Sequence, residues 1–327
     1  MIDCDVHVQP SGVETLFPYL PRHWVEHLKQ SAFNGPTDRY YPKNMTAGAT
    51  LAEITARPDL ERMILNCTYA IDGLHNPDAA SAFASAVNDW LIAEWLEKDD
   101  RLRASLVVPI QLPEAAAQEI ARVGSHPGFV QVFLPVRTQH PLGNRLYHPL
   151  WRAIVEHDLV AGIHYGGAPG NPPFPSGWPS SWLEDHAGMA QVFQSQVCSV
   201  IAEGVFDQFP TARVALIEGG FTWLPAFMWR FDKEWKNLRR LVPWVREAPS
   251  EYMKQHMKLT IQPLDAPGNA RHLRETIDQI GSDGMLMYAS DFPHRHTSDP
   301  RVSLLPELET NLAQLIGSAN AGGFYRF

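Results

Sequence analysis

Eight short runs rich in apolar and β-branched residues recur along the whole chain, and the segments between them are too long for hairpins. The runs are IDCDVHV (2–8), RMILNCTY (62–69), RASLVVPI (103–110), GFVQVFLP (128–135), VAGIHYG (160–166), RVALIEGG (213–220), MKLTIQP (257–263) and GMLMYASD (284–291). Several are almost continuously apolar, as strands covered on both faces must be. Segments with helical periodicity lie between them, at 77–98, 113–123, 149–157, 186–206, 224–241, 270–279 and 304–316. Strand, helix and strand in succession pair the strands in parallel. Eight such units without a large remainder predict an α/β chain closed into a (β/α)8 TIM barrel, read as one domain over 1–327, with an open doubly wound sheet as the alternative. No strand is followed by GxGxxG and no GxxxxGK[ST] occurs, so dinucleotide and P-loop folds lose their signature.

Two insertions interrupt the rhythm: residues 9–60 after the first strand, and GGAPGNPPFPSGWPSSW (166–182) after the fifth. Both are βα connections, and in a barrel these lie on the face that carries the substrate site. Trp178 and Trp182 sit in the Pro-rich insertion and are candidates for an apolar roof over a small-molecule substrate. The aromatic stretch 221–235 has helical spacing through Phe221, Leu224, Phe227, Met228, Phe231 and Trp235, which suits a helix packed on the barrel or on a second subunit of a homo-oligomer.

Composition narrows the function classes. The net charge is −9, from 36 acids against 27 Lys and Arg, and no basic stretch is long enough to follow a phosphate backbone, so nucleic acid is not expected as a partner. Three widely spaced cysteines (Cys4, Cys67, Cys198) offer neither a disulfide framework nor a CxxC metal site, which fits a reducing, cytoplasmic setting. Asp3 and Asp5 stand where a signal peptide carries positive charge, and no apolar run reaches the roughly 18 residues of a membrane span.

The chemistry-bearing residues fall at strand ends. Asp5 and His7 are two apart on the first strand and therefore share a face. His164 closes the fifth strand, Glu218 the sixth and Asp291 the eighth. In a barrel all five converge on one rim, and burying them unpaired costs several kcal/mol each. Imidazole and carboxylate suit a divalent ion such as zinc, manganese or iron, one or two per chain. His186, expected at a helix start, is a candidate extra ligand, and His294 and His296 beyond the eighth strand are candidates to line the pocket.

The DxH of DCDVHV, the IHYGG at 163–167, the FPTARVALIEGG at 209–220 and the YASDFPH at 288–294 resemble the marks of the amidohydrolase-2 family, from Ile2 to about Phe327. That family comprises metal-dependent TIM-barrel enzymes, among them aminocarboxymuconate-semialdehyde decarboxylase and the resorcylate-type decarboxylases. The resemblance implies that Asp5 and His7 match the first-strand ligands, His164 the strand-five histidine, and Asp291 the strand-eight aspartate, a ligand and proton acceptor. Glu218 departs from the pattern, since related decarboxylases usually carry a histidine before the two glycines. A glutamate there adds negative charge and can act as base on one metal or as a bridge between two.

Two chemistries follow as expectations. In the first, a metal-dependent hydrolase or non-oxidative decarboxylase acts on a small carboxylated substrate, with Asp291 or Glu218 handling the proton. In the second, the same acids and imidazoles hold two irons in a non-haem diiron monooxygenase on an amidohydrolase-like barrel. A barrel that binds a ligand without turnover is a third reading, disfavoured by so complete a ligand set.

Overall fold

Each of the eight apolar runs forms a strand in the computed structural model, which describes residues 1–36, 48–294 and 300–327. The strands are β1 (Ile2–His7), β2 (Arg62–Asn66), β3 (Leu102–Val107), β4 (Phe129–Pro135), β5 (Val160–His164), β6 (Val214–Ile217), β7 (Met257–Thr260) and β8 (Leu286–Met287). They pair in parallel and in chain order. The last gap is bridged by hydrogen bonds from Cys4 N–H to the Tyr288 carbonyl (3.0 Å), from His7 N–H to Phe292 (2.7 Å) and from Asp291 N–H to Asp5 (3.1 Å). The result is a (β/α)8 TIM barrel.

Local chemistry starts the helices where the sequence leads one to expect. Asn76 caps the helix Pro77–Leu91 by accepting from the N–H groups of Asp78 and Ala79, both at 3.0 Å. Pro113 opens the helix Pro113–Val123, where the backbone N–H that proline lacks is one the helix geometry does not need. These helices press one apolar layer onto the outside of the barrel, where Val6, Leu106, Val132 and Leu216 meet Phe83, Trp151 and Phe193. A second cluster, Ile2, Cys4, Ile64, Val160, Ala215, Ile217 and Met287, packs separately with Ala321, Phe324 and Tyr325 of the helix Asn320–Tyr325, which fills the barrel floor. The register of β1 slips between Asp3 and Val6. Ile2 and Cys4 thus share the inner cluster although Asp5 and His7 continue the inward face above them.

The structure departs from the sequence expectations at several ends. Strands six and eight are shorter than 213–220 and 284–291: β6 stops where Glu218 takes a left-handed backbone conformation (φ 60°), and β8 ends at Met287, four residues before Asp291 (φ 55°). The expected helix 304–316 is broken into short pieces: Pro306, lacking a backbone donor, lies in a single 3-10 turn, and helix resumes at Thr310. The helix expected from His186 begins four residues earlier, at Trp182, where the Ser181 hydroxyl accepts from Glu184 N–H. Helices at Arg22–Gln30 and Pro249–His256 were not expected. Cys4, Cys67 and Cys198 are unpaired thiols, and among the described residues no helix is long and apolar enough to cross a membrane.

Candidate metal centre

Parallel strands deliver Asp5, His7, His164, Glu218 and Asp291 to one end of the barrel. Asp5, His7, His164 and Asp291 are at most 1% exposed and the Glu218 side chain is 10% exposed. His7 Nε2 lies 2.8 Å from Asp291 Oδ1, 3.1 Å from Glu218 Oε1 and 3.3 Å from Asp5 Oδ1. One ring nitrogen bears at most one proton and cannot satisfy three carboxylates, so the contacts describe donors converging on a common point. His294, three residues after Asp291, places Nδ1 2.7 Å from Asp291 Oδ1 and 3.9 Å from Glu218 Oε1.

The donor set fits a cation. Ligand atoms of Asp5, His7, His164 and Glu218 lie within 4.8 Å of one another, and so do those of His7, Glu218, Asp291 and His294; the two groups share His7 and Glu218. His164 Nδ1 donates to the Tyr165 carbonyl at 2.8 Å, which turns Nε2 toward Asp5 Oδ1 at 3.4 Å. Among the described residues Asp5 Oδ2, His7 Nδ1 and His294 Nε2 are buried without a hydrogen-bond partner. A buried carboxylate oxygen without a donor is costly unless positive charge meets it.

Charge within the cluster is unevenly held. Burial, reinforced by Asp291, pushes the Glu218 carboxyl up to about 8. Burial acts the same way on Asp5, but His7 and His164 outweigh it and hold that carboxyl below its usual range. For His7, burial disfavours charge and the carboxylates of Asp5 and Asp291 reverse the outcome, keeping the imidazolium well above its ordinary pKa. Burial and the neighbouring His7 push His294 down. The two imidazoles, His7 and His294, are therefore pushed in opposite directions although their ring centres are 4.1 Å apart.

The remaining candidates lie apart from these ligand groups. His186 stacks on Trp182 at 5.1 Å and meets the Tyr165 ring edge-on at 5.3 Å, and it belongs to neither group of converging ligand atoms. Trp182 is packed by these contacts, whereas Trp178 is 66% exposed. His296 lies outside the described residues. Sequence reasoning passed over Asn66, at the end of β2, whose Nδ2 donates to Asp5 Oδ1 at 2.8 Å. It also passed over Asp3, whose two oxygens accept from Ser290 N–H and hydroxyl at 2.9 and 2.6 Å, with Arg57 3.6 Å away. A polar residue closing an apolar strand is the signal that marks Asn66, by the same rule that marked His164.

The sequence profile of the family described as Amidohydrolase matches residues 2–327. The chain belongs to the amidohydrolase family. Among its relatives, this amidohydrolase is 30% identical over 261 residues to gamma-resorcylate decarboxylase of Rhizobium sp. (strain MTP-10005), covering 73% of this chain and 76% of that protein. It is 27% identical over 257 residues to gamma-resorcylate decarboxylase of Rhodococcus jostii (strain RHA1), covering 72% and 74%. The fold superposes on 5-carboxyvanillate decarboxylase of Sphingomonas paucimobilis with a TM-score of 0.75 at 19% identity, over 100% of this chain and 99% of that one. A dihydroxybenzoic acid decarboxylase of Polaromonas sp. JS666, solved with bound manganese and the inhibitor 2-nitroresorcinol, gives 0.71 at 20% identity over 99% and 96%. The relatives that carry a named activity here are decarboxylases of carboxylated aromatic compounds.

Proposed function

We propose that this amidohydrolase catalyses metal-dependent, non-oxidative decarboxylation of a small hydroxylated aromatic acid. The reading is carried by the position of Asp291 Oδ1, held between His7 Nε2 at 2.8 Å and His294 Nδ1 at 2.7 Å beside the other ligand atoms. Asp5, His7, His164, Glu218 and Asp291 would hold the metal, manganese being the ion found in the Polaromonas structure. A bound divalent ion supplies a positive centre that orients the substrate and offsets its negative charge.

The protein's own groups handle the proton. In the proposed reaction a proton is added to the ring carbon that bears the carboxyl group. The bond between the two carbons then breaks, its electron pair returns to the ring, and carbon dioxide leaves. Asp291 is assigned the proton delivery and His294 its replenishment through the 2.7 Å contact. Glu218, whose carboxyl holds its proton more tightly than a free one, is the second candidate. The test is carbon dioxide release by the manganese-loaded protein from a panel of hydroxybenzoates that includes gamma-resorcylate. Release from none of them, with hydrolysis of an ester or amide panel, overturns the reading.

The sequence left a diiron monooxygenase as the alternative, and the two ligand groups sharing His7 and Glu218 would suit two ions of any divalent metal without favouring iron. The named relatives lend it no support. Two irons per chain with substrate-dependent oxygen uptake would establish it, and turnover without oxygen would remove it.

A further inference from the structure

A file of buried polar side chains runs from the candidate metal centre to the barrel floor. Asn66 donates to Asp5 Oδ1 at 2.8 Å; the Ser105 hydroxyl donates to Asn66 Oδ1 at 2.5 Å; Gln131 Nε2 donates to Ser105 Oγ at 2.7 Å; and the Tyr325 hydroxyl donates to Gln131 Oε1 at 2.7 Å. Asn66, Ser105 and Gln131 are wholly buried and Tyr325 is 6% exposed. Barrel interiors are ordinarily filled by branched apolar side chains, so four polar groups from β2, β3, β4 and the last helix form a built feature. Room is left for it: a Cβ on Gly162 of β5 would lie 2.3 Å from Gln131 Cδ. The floor is tied down as well. Arg213 donates to the Phe324 carbonyl and pairs with Asp158 at 2.8 Å, and Arg326 pairs with the same Asp158 at 2.6 Å.

The file has a direction. With the Tyr325 O–H given to Gln131, the glutamine carbonyl must face down and its amide up. Its N–H then occupies the Ser105 oxygen, and the serine proton is sent to Asn66 Oδ1. Asn66 is left with only its N–H groups to offer Asp5. The opposite direction would set Asn66 Oδ1 against Asp5 Oδ1, oxygen facing oxygen at the present 2.8 Å. Asp5 Oδ1 thus has a fixed donor, while Oδ2 remains the orphaned oxygen.

We propose that Tyr325 is a positioning residue for the metal centre, setting from the barrel floor the hydrogen-bond direction that orients the Asp5 carboxylate as a metal ligand. The inference rests on the reading of Asp5 as a ligand given above. It is tested by manganese affinity, measured on the full-length protein from the electron paramagnetic resonance signal of free Mn²⁺. Tyr325→Phe is expected to weaken manganese binding about 10- to 100-fold, the usual effect of removing a partner behind a ligand. Combined with Asn66→Leu it is expected to add nothing to the loss from Asn66→Leu alone, because both act through one chain. Ser105→Ala, which removes the hydroxyl between Gln131 and Asn66 and leaves only the 3.4 Å contact of Gln131 Nε2 with Asn66 Oδ1, is expected to give a similar loss and carries the test if Tyr325→Phe fails to fold. Lowered thermal stability with unchanged affinity in the Tyr325 and Ser105 variants would reduce Tyr325 to packing and overturn the inference, as would additive losses. Wild-type protein that binds no manganese, or Asp5→Asn that binds it undiminished, overturns the metal centre itself.

Discussion

Glu218, directly after β6, and Asp291, four residues beyond β8, both take left-handed backbone angles, φ 60° and 55°, and both turn a carboxylate onto the same His7 nitrogen. Such conformations cost of order 1–3 kcal/mol when the residue is not glycine. The two strained positions among the site residues are the two that sequence reasoning assigned to proton handling. Asp291→Asn preserves shape and removes the carboxylate, so turnover is expected to fall at least about 10²-fold with an unchanged circular dichroism spectrum. A rate within about twofold of wild type would take Asp291 out of the mechanism.

Glu218→Gly separates strain from chemistry. Glycine accepts φ 60° without steric strain and removes a buried carboxyl, a relief that outweighs its extra chain entropy when unfolded, so the metal-free variant is expected to melt above the wild type, by about 1 kcal/mol of stability. Manganese binding is expected to weaken at the same time. Differential scanning calorimetry and a metal titration on the same sample check both signs.

Chelation gives a third outcome. A site that exists only in the folded chain stabilises it by about 2.7 kcal/mol at free metal near 100 Kd. Stripping the metal is expected to lower Tm by several degrees and abolish turnover, and adding manganese back is expected to restore both. Elemental analysis of protein purified without added metal reads stoichiometry, which separates a single ion from the pair of sites that share His7 and Glu218.

Asp3 supplies a pH signature outside the ligand set. Burial, opposed in part by Ser290 and Arg57, raises its carboxyl from 3.8 to about 6. The unfolded chain therefore loses this proton at lower pH than the folded one, and the stability Asp3 contributes is full below about 3.8 and lost as pH rises to about 6. Two pKa units correspond to roughly 3 kcal/mol. Asp3→Asn is expected to flatten that fall, so the difference in unfolding free energy from wild type grows between pH 4 and 6 and is constant above; a constant difference across the range would assign Asp3 no proton linkage.

Gly162→Ala tests the crowding inside the barrel. The new Cβ must displace the Gln131 amide, and the expected cost is about 1–3 kcal/mol of stability, read by urea unfolding. A neutral substitution would mean that Gln131 has room to move.

The strands were legible because each is nearly continuous in apolar residues and bounded by long connections, and their order followed from the rarity of any other parallel arrangement. The convergence of the candidate ligands was legible for a related reason: Asp5, His7 and His164 are charged or polar groups that interrupt apolar strands. Asn66 obeyed the same rule and went unread because an amide seldom binds metal. Asp3 was hidden by the register slip in β1, which alternation cannot foresee. Tyr325 had no local signal, since its role depends on where a final helix docks. Helix ends were lost where Pro306 intervened or where Ser181 supplied an earlier cap.

The closure of β8 onto β1 places segments far apart along the polypeptide in one structural unit, with Asp5 and His7 waiting on Asp291 and on the helix Asn320–Tyr325. During synthesis everything from Asp5 to Tyr325 must emerge before this seam can form. On the proposed reading, cation capture is a late event in the molecule's maturation, and a product cut off before Asp291 holds only part of the candidate ligand set.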